Sequence, residues 1–167
     1  MTTTIRAAVD ALRQRVADDP ARAVIRVKTE ARMGDGTRVD LRAGAFGFAA
    51  DEPASVGGTG SGPNPVQMVL AALGSCQAIT YRYWAEELGL RLDAVSIEVE
   101  ANFDTGAFFG FPGAGAPAPS DVRCSVTLEG PEPAERYDEL AAAVDEHCPV
   151  LDLFTRPVPV ERNVTTR

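Results

Sequence analysis

Three stretches of the chain repeat their hydrophobic residues at helical spacing. The longest begins with Asn-Pro, an N-cap followed by a residue suited to the first turn, and it ends before Gly89. This stretch has almost no polar face, so it predicts a buried central helix. The other two are amphipathic; the first ends at Asp19-Pro20, and the last is interrupted at Pro149. The predicted helices cover residues 5–19, 64–88 and 131–148.

Other segments alternate hydrophobic and polar residues, which is typical of β-strands. The first two flank a Gly-Asp-Gly turn at 34–36 and predict a β-hairpin with one buried face. The last contains Pro159, which favours an edge position. The predicted strands cover residues 24–30, 38–43, 46–48, 95–103, 122–129 and 158–164.

Two loops separate these elements. The glycine-rich loop at 55–64 lacks the Lys-Ser/Thr that follows a phosphate-binding loop, so it is interpreted as a tight connector. The segment 105–120 is rich in glycine and proline and carries three phenylalanines between Phe108 and Phe111. It predicts a long irregular loop whose aromatic residues could line a pocket, cover an interface or anchor the loop. No linker divides the rest, so we expect a helical extension at 1–20 and one domain at 21–167.

Composition limits the classes of partner. The formal net charge is −8 and the pI is near 4.7, which excludes nucleic acid and anionic membranes as expected partners. No apolar run reaches the roughly 18 residues of a membrane span, and the N-terminus does not resemble a signal peptide. We therefore expect a cytoplasmic protein. Three cysteines in such a chain argue against a disulfide framework.

The candidate chemistry lies in the cysteines. Cys76 is on the central helix and Cys148 is at the end of the last helix, so a thiol pair at the helix interface could reduce peroxide, although both could equally be core residues. Cys124 shares a strand face with aliphatic residues, which favours core packing. With one histidine, His147, neither a zinc site nor a Cys–His acyl-transfer pair is favoured.

A reactive Cys76 would need a cation from elsewhere in the fold. Burial raises the pKa of a thiol, and the helix dipole has little effect this far from the helix start. Arg82 lies about 240° round the helix from Cys76 at 100° per residue. Arg32 and Arg38 of the first hairpin are better candidates, because a hairpin can fold over a site.

The segment GGTGSGPNPVQMVLAALGSC, the strand GLRLDAVSIEVE and the helix end HCPV resemble the OsmC/Ohr family, the osmotically inducible and organic hydroperoxide resistance proteins. The resemblance extends from Val24 to Val164. It implies an α+β fold in which antiparallel sheets wrap around two long central helices in an interlocked homodimer, with active sites at the dimer interface.

The resemblance also assigns roles to residues. The peroxidatic cysteine falls on Cys76, the resolving cysteine on Cys148, and the activating arginine on Arg32 in preference to Arg38. The peroxidase branches carry a glutamate directly after the Asn-Pro, where this chain has Val66.

These matches imply a thiol-dependent peroxidase that reduces organic hydroperoxides in oxidative-stress defence. No bound metal or organic cofactor is implied, and an external dithiol would serve as reductant, with a lipoyl group or a thioredoxin-like protein as candidates. Because Val66 replaces the glutamate, the alternative stays open that the chain is a non-catalytic OsmC-fold protein that binds a small apolar ligand or a protein partner.

Overall fold

The computed structural model describes residues 4–166 and combines helices with antiparallel sheets, as the α+β prediction requires. The chain forms two compact units, residues 1–71 and 72–167, and helix α2 continues from the first into the second. Among the described residues, no helix is both long and apolar enough to cross a membrane.

The unit 1–71 begins with helix α1, Ile5–Asp18, whose N-cap is Thr4. Its Oγ1 accepts a hydrogen bond from the N–H of Ala7 at 3.3 Å. Three antiparallel strands follow in the order β1-β2-β3. The strands are β1, Thr29–Met33; β2, Val39–Ala43; and β3, Phe46–Ala50.

The hairpin prediction is confirmed for the pairing of β1 and β2 but is wrong for its start and for its buried face. Residues 24–28 form no strand, and all five residues of β1 are exposed. The alternation appears only in β2, where every second residue is half-buried. The reason is that neither face of β1 is covered by another element within the described residues.

Helix α2, Pro65–Leu88, starts and stops as its sequence predicts. The Asn64 side chain accepts a hydrogen bond from the N–H of Gln67 at 2.9 Å, and the Gln67 side chain accepts one from the N–H of Asn64 at 3.0 Å, which is a capping box. At the other end Gly89 adopts φ 66°, and the N–H of Leu90 donates to the carbonyl of Ala85 at 2.8 Å. These bonds form the glycine-terminated C-cap.

The prediction that α2 is buried on all sides is wrong for this chain. Only one face is covered, and its buried residues are Leu73, Gly74, Gln77, Thr80, Tyr81 and Ala85. Other apolar residues remain exposed, including Val69, Ile79 and Tyr83. These side chains are an apolar surface that the single chain leaves open.

The unit 72–167 pairs two long antiparallel strands, β4, Ala94–Asn102, and β5, Asp121–Glu129. A one-turn helix α3, Thr105–Phe108, lies between them, so the segment predicted as a loop is irregular apart from this turn. Helix α4, Ala134–His147, follows β5, and helix α5, Pro149–Thr155, follows Cys148. The core of this unit comprises Tyr81, Ala85, Leu90, Leu92, Leu140 and Val144.

The strand predicted at 158–164 is absent. Residues 157–166 have no regular structure, and Val160 and Val164 are largely exposed. Pro157 and Pro159 remove two backbone donors, and no strand among the described residues pairs with this segment. An unpaired strand has no ladder to stabilise it.

Candidate active site

The two cysteines predicted to form a redox pair are neighbours in the structure. Cys76 is half-buried in the middle of α2, whereas Cys148 is buried with 1% of its surface exposed. The side chain of Cys148 lies near enough to the Cys76 thiol to raise the pKa of that thiol. The fold therefore brings together two thiols that are far apart in the sequence.

Cys148 lies at the junction between two helices. Its N–H donates to the carbonyl of Val144 at 2.9 Å and closes the last turn of α4. Pro149 then begins α5, because proline cannot continue α4 but fits the first turn of a new helix. The prediction of a helix break at this point is confirmed, although helix α5 itself was not predicted. The break leaves Cys148 at a bend of the backbone and not inside a rigid helix.

Burial is the largest influence on Cys76 and raises the pKa of its thiol above the ordinary value. The backbone N–H of Val150 acts in the opposite direction, because a donor to the sulfur favours the thiolate. The neighbouring Cys148 side chain raises the pKa of Cys76 further, and the side chain of Thr80 lowers it. On balance the thiol stays protonated, so a thiolate at Cys76 needs a further donor or positive charge.

Val150 and Thr80 were not singled out from the sequence. The Oγ1 of Thr80 donates to the backbone carbonyl of Cys76 at 2.8 Å, one turn earlier on α2. Both could have been found from their distance in sequence to the cysteines. Thr80 is four residues after Cys76, one helical turn away, and Val150 is two residues after Cys148, where the start of a new helix has free N–H groups. The position of Val150 is informative only because a new helix begins at Pro149.

The two candidate arginines have different surroundings. Arg38 is engaged: its guanidinium donates to Asp40 Oδ1 at 2.8 Å and to Ser61 Oγ at 3.0 Å. Arg32 lies on β1, and its side chain makes no ion pair or hydrogen bond within residues 4–166. Both belong to the unit 1–71, whereas the two cysteines belong to the unit 72–167. The choice of Arg32 as the activating residue remains a prediction.

The sequence also drew attention to Arg82, His147 and Val66, and the structure gives the surroundings of each. Arg82 donates to the carbonyl of Leu92 at 2.7 Å, in agreement with its assignment to another side of α2. The ring of His147 stacks on Trp84, so the histidine has a packing role and is not simply solvated. Val66 is half-buried in the first turn of α2. A valine there offers no acceptor to an arginine.

An important carboxylate was missed by sequence reasoning. Asp51 is 2% exposed, and its two oxygens accept hydrogen bonds from the hydroxyls of Thr37, Thr59 and Ser61 and from three backbone N–H groups. The side chains of Thr59 and Thr37 are the main cause of a pKa well below the usual range for this carboxyl. Asp51 therefore organises the glycine-rich loop that leads into α2.

The same loop confirms the interpretation of its glycines as a tight connector. A Cβ at Gly58 would collide with the backbone carbonyl of Glu52, and one at Gly62 would collide with that of Ala49. These glycines are needed for close approach of backbone to backbone. The loop bears no sign of phosphate binding, because its donors are used by Asp51.

Cys124 is half-buried on β5, and its Sγ donates to Gln77 Oε1 at 3.1 Å. Burial, followed by the charges of Asp145 and Cys148, raises the pKa of its thiol. Its place on the inner strand face was predicted, but full core burial was not confirmed. Cys124 is a protonated thiol held by an amide.

Solved structures with similar folds support this architecture. An OsmC-like protein from Mycoplasma pneumoniae is 16% identical, with a TM-score of 0.68 over 78% of this chain and 88% of its own. The organic hydroperoxide resistance protein OsmC from Legionella pneumophila is 20% identical, with a TM-score of 0.57 over 78% and 90%. The organic hydroperoxide resistance protein OhrB of Bacillus subtilis is 23% identical, with a TM-score of 0.51 over 80% and 92%.

At these sequence identities the structural similarity establishes the fold only. The activity has to be argued from the chemistry of the site. No functionally curated protein matches the sequence significantly. The family model described as "OsmC-like protein" matches residues 58–163, which is more than half of the chain and contains both Cys76 and Cys148. The chain therefore belongs to the OsmC family of OsmC-like proteins.

Proposed function

We propose that this protein is a thiol-dependent peroxidase that reduces organic hydroperoxides. The observation that carries the proposal is the proximity of the Cys148 side chain, at the break between α4 and α5, to the Cys76 thiol on α2, whose pKa it raises. The family adds support, since several proteins of the same fold are named organic hydroperoxide resistance proteins.

The reaction would proceed in three balanced steps. The Cys76 thiolate attacks the outer oxygen of the hydroperoxide, the O–O bond breaks, and an alcohol leaves with one proton, so that Cys76 becomes a sulfenic acid. The Cys148 thiol then attacks that sulfur, a disulfide forms, and water leaves. An external dithiol reduces the disulfide by exchange and is itself oxidised to a disulfide. A lipoyl group or a thioredoxin-like protein could supply this dithiol.

The position of Cys148 suits the second step. It is buried, so a sulfenic acid on Cys76 would meet this thiol before solvent thiols. It also stands at the bend before Pro149, where the backbone can shift to give the sulfur–sulfur bond its required geometry. A resolving cysteine inside an unbroken helix would lack that freedom.

The first step needs a cation to lower the pKa of Cys76, and we assign that role to Arg32. Arg32 is free of ion pairs within the described chain, whereas Arg38 is bound to Asp40 and Ser61. Since Val66 cannot orient the guanidinium as a glutamate would, Arg32 must act by charge and direct hydrogen bonding.

We further propose that the working form is a homodimer. The accessible surface of the chain is 12556 Å² for a mass of 17.7 kDa, whereas a folded monomer of that mass exposes about 7,900 Å². The exposed surface includes large apolar side chains, among them Ile79 and Tyr83 on α2 and Phe46 on β3. A second copy of the chain is the partner that could cover these faces and restore an ordinary surface.

Three free thiols fit a reducing, cytoplasmic location.

One observation favours the non-catalytic alternative. The pKa of Cys76 is raised, and a protonated thiol is a poor nucleophile. If no cation approaches it, Cys76 and Cys148 would be a buried thiol pair in a protein that binds a ligand or a partner.

A thiol titration separates the two functions. The reduced protein is mixed with cumene hydroperoxide, and free thiols are counted with time for the native chain and for Cys76→Ser, Cys148→Ser and Cys124→Ser. The peroxidase predicts the loss of two thiols per chain in the native protein and in Cys124→Ser, and no rapid loss in Cys76→Ser. Three unchanged thiols at millimolar hydroperoxide would establish the non-catalytic alternative.

A further inference from the structure

A cleft of about 560 Å³ opens beside Cys124 within the unit 72–167, and the mechanism above does not use it. A volume in the range of roughly 300–1,000 Å³ is typical of small-molecule sites. Residues of α2, β5, α4 and α5 line this cleft. They include Gln77, Tyr81, Cys124, Asp145, Leu151 and Thr155.

The amide nitrogen of Gln77 and the hydroxyl of Tyr81, both in the wall of this cleft, have no hydrogen-bond partner among residues 4–166. Gln77 and Tyr81 are each 4% exposed. Within residues 4–166, the only side-chain hydrogen bond of Gln77 is the one that its Oε1 accepts from Cys124, and the Tyr81 hydroxyl makes none. Every fully enclosed side-chain nitrogen or oxygen in the described chain has a partner. The Gln77 amide and the Tyr81 hydroxyl are therefore open to the cleft.

Both groups are hydrogen-bond donors. The Nε2 of Gln77 carries two N–H bonds. Burial, followed by the charge of Asp145, raises the pKa of Tyr81, so its phenol keeps its proton. Two donors on nine-tenths buried side chains that lack acceptors are costly unless water or a ligand satisfies them.

The sign of charge in the cleft restricts the ligand. Asp145 lies at its edge on α4. Its charge acts on both Tyr81 and Cys124, and the cleft is lined by no lysine or arginine. An anionic ligand would be repelled, whereas a neutral acceptor oxygen would not.

A second, more apolar cleft of about 370 Å³ shares Cys124, Leu151 and Thr155 with the first. Its apolar side chains include Leu73 and Phe154. We propose that the joined clefts bind a neutral small molecule with a carbonyl or hydroxyl oxygen next to a short apolar chain. The oxygen accepts from Gln77 and Tyr81, and the chain lies between Leu73, Leu151 and Phe154.

Binding of octanamide and octanoate tests this proposal, since the two probes share a chain length and differ in head-group charge. The reduced protein is titrated without peroxide, and the side-chain amide resonance of Gln77 is followed by NMR together with the apparent Kd. Octanamide should bind and shift that resonance. Gln77→Leu and Tyr81→Phe should each weaken octanamide about 3- to 10-fold through the loss of one hydrogen bond.

Matched variants control for indirect effects. Tyr83→Phe changes an exposed tyrosine on the same helix and should leave the Kd within about twofold. Asp145→Asn should strengthen octanoate binding about 3- to 5-fold, whereas Asp138→Asn on an exposed turn of α4 should not.

Three outcomes would overturn the proposal: no octanamide binding up to its solubility limit, equal binding by the Gln77 and Tyr81 variants, or octanoate binding as tight as that of octanamide. Occupation of the cleft by a second copy of the chain would produce the first of these. The experiment uses no hydroperoxide, so its result is independent of whether the thiols turn over.

Discussion

The indole of Trp84 lies flat on the imidazole of His147, with ring centroids 4.2 Å apart and an angle of 9° between the planes. Trp84 belongs to α2 and His147 is the last residue of α4, so the stack joins the two helices that carry the thiols. Cys148 follows His147 directly. The stack therefore holds the end of α4 against α2 at the residue before the resolving thiol.

Trp84→Ala should loosen this junction, and Trp84→Phe should largely preserve it. Loss of the half-buried indole is expected to reduce the free energy of unfolding by about 2 kcal/mol. It should also lengthen the life of the Cys76 sulfenic acid, which a sulfenic-acid-specific reagent would capture in higher yield. Equal yields in the native protein and Trp84→Ala would show that the stack does not position Cys148.

Asp51→Asn should lower the urea midpoint of unfolding. The amide can accept at one position only, so several of the donors from Thr37, Thr59 and Ser61 lose their charged acceptor. Asp35→Asn, at an exposed turn, is the matched control and should leave the midpoint unchanged.

Asp51 also makes an acid-dependent contribution. Its folded pKa is lowered, so its stabilisation is fully present above the unfolded pKa of about 3.9 and is lost as the pH falls below that value towards the folded pKa. In that window, unfolding of Asp51→Asn should take up about one proton fewer than unfolding of the native chain. Parallel stability curves for the two proteins between pH 5 and pH 3 would contradict this role.

Arg32→Met should raise the apparent pKa of Cys76 alkylation and slow the reaction with cumene hydroperoxide by about 10- to 100-fold. Arg38→Met removes a guanidinium that is bound to Asp40 and Ser61 and should mainly lower stability. If the two variants exchange these phenotypes, Arg38 is the activating residue. If neither affects the reaction rate, the thiolate is stabilised without a hairpin arginine.

Ile79→Glu tests the dimer. Ile79 is 57% exposed on α2 in the single chain, so a glutamate there costs an isolated chain little, whereas it would bury a charge in a homodimer interface. Light scattering should give twice the chain mass of 17.7 kDa for the native protein and a lower mass for the variant. A native monomer at micromolar concentration would contradict the proposed assembly.

The sequence predicted the elements whose signals are local. The Asn64 cap, the stop at Gly89 and the break at Pro149 depend on a few neighbouring residues, and the structure confirms all three. The resemblance to the OsmC/Ohr family identified the fold correctly and pointed to Cys76 and Cys148, which the fold places near each other.

Features that depend on tertiary contacts could not be predicted from the sequence. Asp51 has no pattern of its own, because its role arises only when Thr37 and the loop at 59–61 fold around it. In the sequence Gln77 is one polar residue in an apolar helix, and its hydrogen bond arises only because β5 places Cys124 against it. The exposed strand β1 and the unstructured segment 157–166 have strand-like sequences without a covering layer or a strand partner in the described chain.

Peptide mapping under non-reducing conditions shows directly whether hydroperoxide links Cys76 to Cys148. The reduced protein is treated with one equivalent of cumene hydroperoxide, remaining thiols are alkylated, and the digest is searched for disulfide-linked peptides. We expect one dominant linkage, between Cys76 and Cys148, with Cys124 recovered in alkylated form. Recovery of all three cysteines as alkylated thiols, or a dominant disulfide that includes Cys124, would contradict it.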